Sequence, residues 1–322
     1  MTQPLTVAIL AGGLTHEREV SMHSGRRVAA VLREAGVQVK LLDVDSTLLQ
    51  RLESMSPDVV WPLVHGSTGE DGSLQNLLEL VGIPYVGSDP MGCRLASDKA
   101  VASSILGKAA LRVPDSVDIP QALFRDVGVN PMLDLLGERF GFPLVVKPSQ
   151  GGSGLGVTIV ESAAQLPRAM VDCFAYGENA HIEQYISGRE VAVAVIDVAD
   201  EDTDGPQALP AVEIVTDGLY DYDARYNAGR VEYFVPARLS DDDARTVGGA
   251  AETVHSTLGL RDYSRTDIIF DGETPWILDV NVAPGMTETS LFPQAVAAAA
   301  KQEGTTVDSF YLRILETAAK RI

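Results

Sequence analysis

Positive charge is in short supply in this sequence. Its 25 basic residues, only six of them lysines, face 45 acidic ones, for a net charge of −20. That balance excludes a broad nucleic-acid or anionic-membrane surface, because both need clustered cations. It leaves room for a small anionic ligand, since one local pocket can override the overall sign. Cysteine is scarcer still. Cys93 and Cys173 cannot make a disulfide framework and fit no metal-binding spacing. They read as two buried, inert thiols in a reducing compartment. No apolar run approaches the ~18 residues of a membrane span; Val191–Ile196 and Ala295–Ala300 are typical of the longest. Met1–Leu10 carries no basic residue ahead of its apolar run, which argues against a secretory signal. With 45 % apolar and 22 % charged residues, the composition is that of an ordered globular chain. The expectation is an acidic, soluble, cytoplasmic protein with no nucleic-acid or membrane partner.

At roughly 150 residues per domain, 322 residues imply about two units, and the patterning resolves three. Val7–Leu10, Val37–Val44 and Asp58–Val64 read as buried strands, with a helical apolar spacing from Val20 to Ala35 that stops at Gly36. Strand, helix, strand at this spacing implies a parallel sheet with crossover helices. Ile83–Gly87 closes that unit, and a first boundary falls near residue 97. A helix then runs from Ser97 to about Ala110, followed by proline-punctuated loops and the strand Leu144–Val146. Further strands are expected at Val157–Val160, His181–Ile186, Glu190–Asp197, Ala211–Val215, Thr266–Phe270 and Pro275–Val280. Thr216–Arg230 reads as a polar, tyrosine-rich loop. Ser240 followed by Asp241, Asp242 and Asp243 marks a helix start, a cap residue and then acids at the positive dipole end. Val307–Ala319 is a terminal helix. The class is mixed α/β, becoming α+β in the C-terminal part, with segments 1–97, 98–187 and 188–322.

Several motifs narrow the chemistry. Gly12-Gly13 follows a strand, but G-x-G-x-x-G is absent, and Glu17 and Glu19 stand where a pyrophosphate needs positive potential. Dinucleotide binding is therefore set aside. Gly151–Gly156 has phosphate-loop spacing, yet Val157-Thr158 stands where a Walker sequence requires Lys-Ser/Thr. A hairpin turn accounts for one or two of its glycines, not for four glycines and two serines in eight residues. Small residues let backbone N–H groups approach phosphate oxygens, so a phosphate cover is the preferred reading. Asp200, Asp202 and Asp204 imitate an EF-hand start, but Ala211 at position twelve cannot ligate calcium. That run is a surface loop.

Lys99 and Lys147 stand out among so few lysines, because Lys147 ends an apolar strand and a buried ammonium needs an anion. Arg265-x-Asp267 begins one strand and Asp279-x-Asn281 ends the next. Period-two alternation puts each pair on one face. Hard oxygen ligands beside a phosphate loop suit Mg²⁺, which takes nucleotide phosphates as its other ligands. Arg265 is placed to stabilise developing negative charge, and Gly285 in the turn Val282–Thr287 to donate to an oxyanion. His65-Gly66 and Gly69-Glu70-Asp71-Gly72 lie at the carboxyl edge of the first sheet, where open α/β sheets bind ligands.

These residues resemble the D-alanine–D-alanine ligases of the ATP-grasp superfamily from Gly12 to Pro293. The matching motifs are Gly12-Gly13 with His16-Glu17-Arg18-Glu19-Val20-Ser21, His65-Gly66 with Gly69-Glu70-Asp71-Gly72, Asp98-Lys99, and Val146-Lys147-Pro148. They continue with Tyr220-Asp221-Tyr222 through Tyr226, Arg265-x-Asp267, and Asn281-x-x-Pro284-Gly285-Met286-Thr287 to Ser290-Leu291. The resemblance implies an ATP-grasp fold with an N-terminal Rossmann-like parallel-sheet subdomain. It also implies ligation of two D-alanines with ATP through an acyl phosphate, for peptidoglycan synthesis, in a cytoplasmic homodimer.

Residue by residue, it implies that Lys99, Lys147 and Arg225 contact ATP phosphates, with Glu183 and Glu190 near adenine and ribose. Asp267, Asp279 and Asn281 would hold Mg²⁺ or Mn²⁺, two ions in all. Glu17, His65, Ser290 and Leu291 would contact the amino acids, with Arg265 and the Gly285 N–H at the reacting carboxyl group. Ser153 and Tyr226 would join Glu17 in a hydrogen-bonded triad. The residues show no general base. Arg225 stands where the family usually has Lys, Asp279 where Glu is usual, and Gly154 where Ser is usual. Two alternatives stay open on those departures: an ATP-grasp ligase for another amino-acid pair, and a non-catalytic nucleotide-binding homologue.

Overall fold

In the computed structural model, residues 5–198, 205–216, 218, 220, 225 and 229–321 are described. Strand β1 (Thr6–Ala11) runs parallel between β2 (Gln38–Asp43) and β3 (Val59–Pro62). Its alternation feeds two layers. Val7 and Ile9 pack with Val28 and Leu32 of the helix Arg18–Glu34, whereas Ala8 and Leu10 pack with Leu48, Leu52, Leu74 and Leu78. A strand buried on both faces reads as a continuous apolar run, which is why this parallel sheet was legible in the sequence. Ile83–Gly87 contributes one bridge, Tyr85 to Val60, rather than a full strand.

A second sheet is antiparallel, in the order β4 (Ser116–Pro120), β7 (Asn179–Gln184), β5 (Leu144–Pro148), β6 (Thr158–Val160). Leu144, Val146, Ala180 and Ile182 turn to one face, under Phe124, Leu136, Leu166 and Met170 of three helices. Lys147, Val145, His181 and Glu183 therefore share the other face, by the period of two. Residues 111 to 143 correct the sequence reading. Strand β4 and helices Gln121–Val127 and Val129–Phe140 occupy much of the expected loop region. Pro131 sits in the first turn of its helix, where a missing N–H costs little. Met132, Leu133, Leu136 and Phe140 form the apolar stripe behind it.

Strands β8 (Arg189–Asp197), β9 (Gln207–Ala208), β10 (Val212–Thr216), β11 (Val231–Phe234), β12 (Asp262–Phe270) and β13 (Pro275–Asn281) form the third sheet. Its order is β11-β10-β8-β12-β13, antiparallel throughout, with β9 beside β8. Val191, Val193 and Val195 pack against Val247, Ala251 and Val254 of the helix Asp241–Thr257. Ser240 caps that helix as expected, its hydroxyl accepting from the Asp243 N–H at 3.2 Å. Ala192, Ala194 and Ile196 face the other way, into a core shared with the first sheet and the helices Leu291–Glu303 and Val307–Ala319. Trp61 Nε1 donates to the Tyr263 hydroxyl at 3.1 Å across that shared core. No helix among the described residues is long and apolar enough to cross a membrane. Cys93 and Cys173 are free and buried, and burial pushes both thiols up to about 12.

Candidate active site

A cleft of about 560 Å³ is lined by the second and third sheets. Lys147, on β5, reaches into it with only 5 % of its surface exposed. Its ammonium lies 2.7 Å from Glu183 Oε1 and donates to the Leu278 carbonyl at 3.1 Å. These partners offset the desolvation of a buried charge. The Leu278 contact arises from a bulge: Asp267 pairs with Asp279, and Ile268 with Ile277, so Leu278 opposes no residue of β12. Burial opposes ionisation of Glu183, but Lys147 and His181 outweigh it and hold the carboxyl below its ordinary range. Lys99 opens the helix Lys99–Lys108; its Nζ donates to the Gly151 carbonyl at 2.8 Å and lies 3.5 Å from Asp279. Glu190 lines the same cleft, and burial pushes it up to about 7.

The glycine-rich segment joins β5 to β6 along this cleft. Gly151, Ser153, Gly154 and Gly156 all have positive φ, so backbone conformation accounts for three of its four glycines, more than the sequence reading allowed. Gly152 does not need it. At Gly156 the packing is also tight: a Cβ would meet Tyr176 at 2.9 Å and Pro148 at 3.1 Å.

On β12 and β13, Asp267 opposes Asp279 and Arg265 opposes Asn281, so all four share one face as their alternation predicted. Arg265 Nε and Nη2 grip both oxygens of Asp267 at 2.7 and 2.8 Å. Burial alone would raise Asp267, but this fork holds it below the usual carboxylate range. Asn281 Oδ1 accepts from the Ala283 N–H at 3.1 Å. No group of three His, Cys, Asp or Glu side chains among the described residues is assembled to hold a metal unaided. Asp267 and Asp279 line the cleft with the two lysines, and Asn281 lines the smaller pocket beside it; two carboxylates and an amide oxygen so placed fit a magnesium-like ion that takes further oxygens from an anionic ligand.

A smaller pocket, about 40 Å³, adjoins the cleft; Gly152, Tyr220 and Arg225 line both. Arg225 stacks over the Tyr220 ring, 4.3 Å from its centroid. Glu17, Ser153, Arg265, Gly285, Ser290 and Leu291 line the pocket. Ser153 donates to Glu17, whose carboxyl burial nonetheless keeps raised. Gly66 makes the space for it, because a Cβ there would meet Glu17 Oε2 at 2.8 Å. Glu70, partly buried near Glu17, is pushed well above the ordinary range, by desolvation first and by the Glu17 charge second. The helix Leu291–Glu303 points its N-terminus at the pocket through Ser290 and Leu291, an arrangement that favours a carboxylate.

The structure thus brings the residues expected around a nucleotide (Lys99, Lys147, Glu183, Glu190, Arg225) into one cleft, and most of those expected around an amino acid into the adjoining pocket. His65 lines that pocket as well. Both its ring nitrogens are engaged within the protein, at Ser24 and at the Ala283 carbonyl. Tyr226 lies outside the described residues, as do Asp200, Asp202 and Asp204. Gly13 serves a local ion pair, its N–H donating to Asp43, which pairs with Arg18, and Gly12 leaves room for it, since a Cβ there would collide with Asp43 Oδ1. Sequence reasoning missed Ser24 and the Asp118–His181 pair. Ser24 had one faint signal, a small polar residue on the buried face of an amphipathic helix.

Two antiparallel sheets clasping a lysine-bearing cleft, beside an acidic strand pair, define an ATP-grasp architecture. Two family models match: "D-ala D-ala ligase C-terminus" over residues 117–315 and "D-ala D-ala ligase N-terminus" over residues 49–88. A D-alanine–D-alanine ligase of Anaeromyxobacter dehalogenans strain 2CP-1 is 41 % identical over 315 residues, covering 97 % of this chain and 96 % of the relative. That of Geobacter sulfurreducens is 37 % identical, over 98 % and 95 %. The crystal structure of the D-alanine–D-alanine ligase from Bacillus anthracis superposes with a TM-score of 0.81 at 28 % identity, covering 98 % of this chain and 97 % of that one. Its complex with ATP gives 0.79 at 25 %, over 98 % and 97 %. The chain belongs to the D-alanine–D-alanine ligase family.

Proposed function

We propose that this chain ligates two D-alanines into D-alanyl-D-alanine, converting ATP to ADP and phosphate. The observation that carries the reading is the continuity of the lysine-bearing cleft with the pocket of Glu17, Arg265 and Gly285. Triphosphate oxygens lie against Lys99 and Lys147, under the backbone of Gly151–Gly156. The amino group of the first D-alanine pairs with Glu17, and its carboxylate lies between Arg265 and the Gly285 N–H. A carboxylate oxygen attacks the γ-phosphorus, ADP leaves, and an acyl phosphate forms. The amine of the second D-alanine, its carboxylate at the N-terminus of Leu291–Glu303, then attacks the carbonyl carbon and displaces phosphate. Arg265 and the Gly285 N–H stabilise the tetrahedral oxyanion. Ser153 orders the glycine loop over Glu17, and by the family resemblance Tyr226 would join that pair, so that water is kept from the acyl phosphate.

Asp267, Asp279 and Asn281 would hold Mg²⁺ or Mn²⁺, two ions by the family resemblance, which neutralise phosphate charge when bound. The resemblance also supports a cytoplasmic homodimer that supplies a peptidoglycan precursor, and boundaries near residues 97 and 187. ADP release measured across a panel of D- and L-amino acids tests the reading. Release with D-alanine is expected. Preference for another pair would reassign the substrate, and no release with any of them would leave a nucleotide-binding homologue.

A further inference from the structure

Ser24 is fully buried on the helix Arg18–Glu34, yet its hydroxyl is not used within that helix. It accepts from the Met286 N–H at 3.0 Å and lies 2.9 Å from His65 Nε2. His65 Nδ1 lies 3.0 Å from the Ala283 carbonyl. A carbonyl can only accept, so Nδ1 carries the ring proton. A neutral imidazole then offers Nε2 as an acceptor, and the Ser24 O–H fills it. The directions follow in turn: Met286 N–H to Ser24 Oγ, Ser24 O–H to His65 Nε2, and His65 Nδ1–H to Ala283 O. Together with the backbone of Ala283–Met286, these bonds close a ring.

The surroundings keep the imidazole neutral. Burial first, and the Arg265 charge as a lesser cause, press His65 down to about 4, against the Ala283 bond. Of the charged groups facing it, Glu70 Oε1 stands 3.9 Å from Nδ1. The same helix supplies a second tie, because Arg27 Nη1 donates to the Met286 carbonyl at 3.4 Å and to the Tyr311 hydroxyl at 3.2 Å. Gly285 lies inside the ring and lines the small pocket. A Cβ there would meet Ser290 Oγ at 2.9 Å, so a side chain would displace that hydroxyl. A turn pinned on both flanks holds its intervening N–H in a fixed direction, which a charge-stabilising donor requires.

We propose that Ser24 is a positioning residue for ligation: through His65 it closes the ring around Ala283–Met286 and fixes the Gly285 N–H that faces the reacting carboxyl group. This rests on the reading that Gly285 binds that group. Ser24 lines neither the cleft nor the small pocket. Its loss therefore lowers the rate of the chemical steps and leaves the nucleotide cleft intact.

The test compares wild type, Ser24→Ala and Ser24→Thr, with two readouts. In steady-state kinetics, Ser24→Ala should lower kcat on the order of tenfold, less than the loss of an oxyanion donor itself, with KM for ATP changed less than about twofold. Ser24→Thr keeps the hydroxyl and should recover most of the rate. In backbone amide hydrogen exchange, the peptide holding Gly285 and Met286 should exchange faster in Ser24→Ala, with the Lys99–Lys108 helix unchanged. A wild-type kcat in Ser24→Ala, or unchanged exchange at Met286, overturns the proposal. If Ser24→Ala does not fold, Ser24→Cys, close in size and a weak donor, is read by the same two criteria. If the wild type itself does not ligate D-alanine, the functional reading fails, and the exchange comparison still decides whether Ser24 holds the turn.

Discussion

The Ser153 hydroxyl donates to the Glu17 carboxylate across 136 residues of chain, joining the glycine-rich loop to the entrance of the helix Arg18–Glu34. That bond satisfies one buried oxygen of an acid whose other oxygen rests against Gly66. Ser153→Ala removes the donor and frees the loop. The KM for the first D-alanine should rise and kcat should fall, together costing about 2 kcal/mol of transition-state stabilisation, with the melting temperature nearly unchanged. Kinetics against D-alanine concentration, paired with thermal melting, check it; unaltered kinetics would remove Ser153 from the site.

Arg265 serves both the site and the fold. Its guanidinium is the fork that neutralises Asp267, and both are almost wholly buried. Arg265→Ala should lower ligation by ~100-fold or more. It should also destabilise the protein by about 3–5 kcal/mol, because a buried carboxylate loses its partner. Arg265→Ala combined with Asp267→Asn should regain stability without regaining turnover. Denaturant titration and the ligation assay separate the two effects, and near-normal turnover would exclude Arg265 from the chemistry.

Lys147 and Glu183 form a buried ion pair, 2.7 Å apart. Lys147→Met should weaken ATP binding at least tenfold, since a buried phosphate-facing cation is lost, and should cost about 3–5 kcal/mol of stability. Adding Glu183→Gln should restore part of the stability while ATP binding stays weak. A double-mutant cycle read by nucleotide titration and by melting tests this. Equal recovery of both quantities would mean that Lys147 serves the fold alone.

His181 is buried between Asp118 and Glu183, with a carboxylate oxygen 3.5 Å from each ring nitrogen. Burial alone would lower its pKa, but the two acids outweigh burial and raise it. Because the folded value lies above the unfolded one, its stabilisation is complete below about pH 6.5 and fades as pH rises through the folded value. The stability gap between wild type and Asp118→Asn should therefore be widest on the acid side of neutrality and narrow towards pH 9. Denaturant unfolding at stepped pH measures it; a gap that widens with pH would reverse the assignment.

Much of the fold was legible wherever one physical signal dominated. The first sheet reads directly, because parallel strands are apolar throughout, and the Arg265–Asn281 strand pair reads because polar residues alternate on an otherwise apolar ladder. Residues 111 to 143 did not, since their prolines imitate loop punctuation while Pro131 in fact lies in a first helical turn. The site divided in the same way. Lys147 announced itself as a charge ending an apolar strand, but the bulge that turns the Leu278 carbonyl towards it leaves no mark in composition. Ser24, His181 and Asp118 were hidden because their partners are distant in sequence: Met286 lies 262 residues beyond Ser24.

The most direct test of the central claim is isotope transfer during turnover. D-alanine carrying heavy oxygen in its carboxyl group is incubated with ATP, Mg²⁺ and the protein, and the products are weighed by mass spectrometry. An acyl-phosphate route leaves one heavy oxygen in the released phosphate and a labelled dipeptide of the mass of D-alanyl-D-alanine. Dipeptide formed with unlabelled phosphate would contradict attack of the carboxylate on the γ-phosphorus, and ATP consumed without dipeptide would contradict ligation itself.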